Sequence, residues 1–72
     1  METDKWGRRI RAFRKLKGRT QEGLAREIGI SVSVLGEIER GSRLPSGQIL
    51  KKISDVLSVP VEELTPPDEL DK

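Results

Sequence analysis

Eight cations and no acid lie between Lys5 and Arg19: Lys5, Arg8, Arg9, Arg11, Arg14, Lys15, Lys17 and Arg19. The chemistry open to such a stretch is electrostatic, namely the attraction of phosphates. A solvated helix face rich in Arg and Lys leaves the same trace, so the stretch alone does not decide between them. Acid–base, nucleophilic and metal chemistry find no support. The 72 residues contain no His, Cys or Tyr, so the commonest general base and the commonest metal ligands are absent. No nucleophile stands beside a base, and the adjacent Glu62 and Glu63 read as first-turn helix residues rather than an acid–base pair. Neither an enzyme nor a cofactor is expected.

The total charge of +2 is uninformative, and the pI of about 9.3 overstates it. With no His, Cys or Tyr, almost nothing titrates between the carboxylates and Lys. Divided, the chain says more. Residues 1–60 carry thirteen Lys and Arg against seven Asp and Glu, a net +6, while residues 61–72 carry one against five, a net −4. A chain this short holds one domain, with roughly 3–5 kcal/mol to expect from its core. The longest apolar run is two residues and the mean hydropathy is −0.54, which excludes a membrane-spanning helix. A protein of a reducing compartment, the cytoplasm, is expected.

The elements that must position these residues are helices. Apolar residues recur at spacings of three and four, and no strand-like alternation appears. Trp6, Ile10 and Phe13 mark a helix over about 5–17, with Thr3 or Asp4 as its cap and Gly18 as its stop. Thr20 caps a second helix over about 21–28, which Gly29 ends. Ser31 caps a third over about 32–40, ended by Gly41. Ser46 caps a fourth over about 47–57, with Ile49, Leu50, Ile53, Val56 and Leu57 as its apolar face. Pro60 suits the first turn of a short fifth helix over about 60–64. Thr65–Pro66–Pro67 then stops the pattern. The division expected is a domain over 1–64 and an acidic C-terminal tail over 65–72.

Within this all-α plan, Thr20 to Gly41 reads as two short helices joined by a tight glycine-containing turn, a helix-turn-helix. Two helices that cross closely need a small residue at the contact, which Ala25 supplies. The turn needs a residue free of the Cβ penalty, which Gly29 supplies. Leu24, Leu35 and Ile38 fill the wedge. In such units the N-terminal residues of the second helix meet base edges in the major groove. Here these are Ser31, Val32, Ser33, Gly36 and Glu37. Val32 can pack on a thymine methyl, Ser33 can donate or accept, and Glu37 can accept from a cytosine amine or else repel phosphate and exclude wrong registers. No Arg, Lys, Gln or Asn stands among them for a bidentate base contact, so backbone positioning and DNA shape carry more of the recognition. Thr20, whose helix start offers free N–H groups, and Arg40, Ser42 and Arg43, which follow the third helix, are the expected phosphate contacts.

The chain resembles the Cro and phage-repressor type of helix-turn-helix DNA-binding domain, the xenobiotic-response-element family. The resemblance rests on Gly7 to Arg14, Thr20 to Ala25, Gly29–Ile30–Ser31, Ile38–Glu39–Arg40–Gly41, Pro45–Ser46 and Leu57 to Pro60. It implies a compact five-helix lambda-repressor-like domain that binds double-stranded operator DNA, usually as a homodimer, to regulate transcription, here as a repressor. It makes Gln21 a phosphate and base-edge contact that also braces the recognition helix. It makes Arg14 and Glu39 a structural ion pair. No small-molecule effector is evident.

Three positions depart from the family pattern. Gly23 stands where Glu would complete a capping box with Thr20. Gly36 replaces a polar residue within a helix. Arg19 replaces an apolar residue, and Leu16 is expected to fill its place in the core. The bland reading surface and the acidic end also fit an alternative, a protein-interaction module on the same fold such as an anti-repressor or an antitoxin-like partner. Val59, Val61 and Leu64 are the candidates for a dimer surface.

Overall fold

The computed structural model describes the backbone of residues 2–67 and the side chains from Lys5 to Pro67. Five helices follow in order: α1 Glu2–Leu16, α2 Gln21–Ile28, α3 Val32–Arg40, α4 Gly47–Leu57 and α5 Val61–Leu64. No strand occurs among the described residues. Thr3 and Asp4 lie inside the first turn of α1 rather than capping it. Nothing between Glu2 and Trp6 breaks a helix, so the helix runs on toward the chain start. Asp68, Glu69, Asp71 and Lys72, the far end of the expected acidic tail, lie outside the described residues.

The starts and stops have identifiable chemistry. The hydroxyls of Thr20, Ser31 and Ser46 accept from the N–H of Gly23, Val34 and Ile49 at 3.0, 3.1 and 3.2 Å. Gly18, Gly29 and Gly41 adopt φ of +71°, +77° and +85°, each allowing the chain to turn back on the helix it ends. After α1, for example, the Gly18 N–H donates to the Lys15 carbonyl and the Arg19 N–H to the Arg14 carbonyl, both at 3.0 Å. Only α4 among the first four helices ends on a side-chain-bearing residue, Ser58 at φ +57°. Pro60 sits just before α5 rather than within it.

The core is formed by Ile10, Leu24, Ala25, Ile28, Leu35, Ile38, Leu50, Ile53, Leu57, Val59 and Leu64. Trp6, Phe13, Ile30, Val34, Ile49 and Val56 pack around it half-buried. The helix α1 packs mainly on α3, while α2 packs on α3 and α4. Close approach of α1 and α3 depends on Gly7. A Cβ placed there would fall 2.4 Å from the Ile38 carbonyl oxygen and 2.6 Å from that of Glu39.

Three sequence expectations change. Leu16 does not fill the core in place of an apolar residue at position 19, because it is 74% exposed. At 3.6 residues per turn it stands about 120° around α1 from Ile10. Arg19 is instead half-buried and pairs with Glu27. Of Val59, Val61 and Leu64, only Val61 is exposed; the others are core, because α5 turns that side onto α1 and α4. Pro66, which the sequence pattern assigns to the tail, is fully buried.

Candidate nucleic-acid interface

One buried carboxylate ties three helices together. Glu39, near the end of α3, receives the guanidinium of Arg14 from α1 in a two-pronged contact, Nε to Oε2 at 2.7 Å and Nη2 to Oε1 at 3.1 Å. Both residues are 8% exposed. The same Oε1 accepts from Nε2 of Gln21, the first residue of α2, at 3.1 Å. Arg14 also donates through Nη1 to the Arg19 carbonyl at 2.8 Å. No buried side-chain polar atom among the described residues lacks a partner. A buried charge pair with satisfied hydrogen bonds fixes geometry more than it adds stability. Here it joins α3 to both α1 and α2.

With its inner side held, α3 presents its other side to solvent. Ser31, Val32 and Ser33 are exposed, Val34 is half-buried against the core, and Glu37 is half-exposed. Gly36 is buried instead, beneath the Arg40 guanidinium: a Cβ on it would lie 3.1 Å from Nη1 of Arg40 and 3.8 Å from Nε2 of Gln21. Arg40 is exposed and lines a groove with Arg11, Arg14, Gln21 and Glu39, which continues into a hollow bordered by Arg8. Arg9 faces elsewhere and donates to the Glu63 carbonyl at 3.0 Å.

The loop after α3 is stitched to the helix. The N–H and the hydroxyl of Ser42 both donate to the Glu37 carbonyl, at 2.9 and 3.2 Å. Arg43 reaches back and donates Nε to Oε1 of Glu37 at 2.7 Å. The sequence pattern gives Glu37 and Arg43 separate roles and no reason to pair them. Their six-residue separation is not a helical contact spacing; only the αL turn at Gly41 brings them together. The close approach at Gly7 also escapes the sequence pattern, although a glycine inside a helix is a signal of one.

Among the described residues, no group of acidic residues is arranged to hold a metal ion, and no helix is long and apolar enough to cross a membrane.

A helix-turn-helix family model matches residues 10–64. The uncharacterised HTH-type transcriptional regulator YazB of Bacillus subtilis is 64% identical over 69 residues, covering 96% of this chain and all of that protein. The HTH-type transcriptional regulator SinR of the same organism is 44% identical over 59 residues, 81% of this chain but 53% of SinR. The chain also spans only 39% of the related regulator SlrR. Among solved structures, the restriction-modification controller protein C.AhdI of Aeromonas hydrophila superposes with a TM-score of 0.82 at 37% identity, over 86% of this chain and 94% of that one. The clp gene regulator ClgR of Corynebacterium glutamicum superposes at 0.85 with 30% identity, over 89% and 68%. Its five helices thus form the lambda-repressor-like fold, and the chain belongs to the helix-turn-helix family of transcriptional regulators.

Proposed function

We propose that the domain binds double-stranded operator DNA with α3 in the major groove and regulates transcription as a repressor, acting as a homodimer in the cytoplasm. The observation that carries this reading is the Arg14–Glu39–Gln21 network, which holds α3 from behind and leaves its first turn outward. Ser31, Val32 and Ser33 then meet base edges, with Glu37 farther along the same helix. Gln21 keeps one amide N–H for a phosphate or base edge while the other braces Glu39. Gly36 contributes room rather than a contact, admitting Arg40 to the helix surface. Thr20, Arg40 and Ser42 contact phosphates, and Arg8 and Arg11 extend the cationic groove beside Arg40.

The test is a fluorescence titration of the whole chain on random duplex and on the DNA upstream of its own gene, at several salt concentrations. The expected result is tighter binding to the upstream DNA, weakening steeply with salt. Absence of binding even at low salt would overturn the reading in favour of a protein-interaction module.

A further inference from the structure

The exposed N-terminal turn of α3 offers no side chain of the forked types, Arg, Asn or Gln, that read a base with two hydrogen bonds in fixed geometry. The loop that follows offers one. We propose that Arg43, oriented by Glu37, reads a guanine in the major groove, and that Glu37 acts as its positioning residue. The proposal rests on the DNA-binding reading above.

Three observations support it. First, Glu37 lies one helical turn beyond Ser33, on the same face of α3, and helical side chains lean toward the N-terminus. The guanidinium bound to Glu37 is therefore held along the face that enters the groove. Second, both ends of the loop segment are anchored: Ser42 bonds twice to the Glu37 carbonyl, and Pro45 is buried. Third, the contact at 2.7 Å uses Nε only. The two terminal nitrogens keep their donors, the pair needed for O6 and N7 of guanine.

Charge separates this role from a phosphate contact. Arg43 and Glu37 together carry no net charge, so the pair attracts a phosphate weakly. Guanine's groove edge is neutral and needs only fixed donors, which a carboxylate-anchored guanidinium provides. Arg40 is the opposite case, grouped with Arg8 and Arg11 in the cationic groove.

The experiment is selection of bound sequences from a random duplex pool by the unsubstituted chain and by Arg43→Lys, Arg43→Ala and Glu37→Gln, with salt-dependent titrations of each. The unsubstituted chain should select a guanine at one fixed place in each half-site. Arg43→Lys, although it keeps the charge, should lose that preference as Arg43→Ala does, by about ten- to hundredfold. Glu37→Gln should weaken the preference and steepen the salt dependence, because Arg43 is then an uncompensated cation. The proposal is overturned if Arg43→Ala weakens all sequences alike and lowers the salt slope by about one while the guanine preference stays, the signature of a phosphate contact. It is also overturned if Glu37→Gln alone abolishes a cytosine preference that Arg43→Ala leaves intact. Failure of the unsubstituted chain to select any sequence would instead overturn DNA reading itself, and is distinguished by the first arm.

Discussion

Two glycines inside helices do opposite work. At Gly7 the space a methyl would need is filled by backbone, the carbonyl oxygens of Ile38 and Glu39. Neither can move without separating α1 from α3. Gly7→Ala is therefore expected to destabilise the domain by about 1–3 kcal/mol or more, a large share of the total for a chain of this size, measured as a fall in the urea midpoint. At Gly36 the neighbour is the far end of the Arg40 side chain, which can swing aside. Gly36→Ala should raise the urea midpoint by about 0.5–1 kcal/mol worth of helix propensity while weakening DNA binding, because it pushes Arg40 off its groove. An unchanged or lower midpoint would refute the first half. In the sequence the two glycines look alike, and reasoning from propensity marks Gly36 and Gly23 as weak points while passing over Gly7. The difference lies in what stands opposite, which no local pattern records.

At the scale of the elements, the helix-turn-helix is held by its own apolar contact and by the carboxylate of Glu39, reached from α1 and α2 alike. Glu39→Ala leaves a buried guanidinium without its counter-charge, a loss of about 3–5 kcal/mol that should unfold the domain or nearly so. A thermal melt within a degree or two of the unsubstituted chain would refute this. The helix boundaries were legible because each had a local cause: Thr20, Ser31 and Ser46 as caps, Gly18, Gly29 and Gly41 as stops. The start of α1 was not, because Thr3 and Asp4 are good caps that the chain does not use. The Arg14–Glu39 pair came from family resemblance alone, since 25 residues separate the partners. The Glu37–Arg43 pair had no signal at all.

For the whole molecule, the described residues measure 32 × 24 × 20 Å. In the proposed homodimer, two copies side by side suit half-sites one turn of DNA (~34 Å) apart. The uneven charge, positive over residues 1–60 and negative beyond, suggests that the acidic end restrains indiscriminate binding. The place to test this is set by burial. Pro66 is fully buried and the Thr65 N–H and hydroxyl both donate to the Val61 carbonyl, so ending the chain after Leu64 would strip the fold as well as the charge. Ending it after Pro67 removes Asp68, Glu69 and Asp71 with Lys72. That truncation should bind random duplex more tightly at low salt, and equal affinity would count against the restraint.

The division of labour along α3 has a consequence for how such a domain changes its target. Leu35, Ile38 and Glu39 face inward and answer to the fold, while Val32, Ser33 and Glu37, with Arg43 from the loop, face outward. Because the helical period keeps the two sets apart, the outward set can be exchanged among related chains without renegotiating the inward one. On the proposed reading, a new operator requires a handful of surface substitutions on an unaltered scaffold, with Glu37 and Arg43, which share a hydrogen bond, changing as a unit.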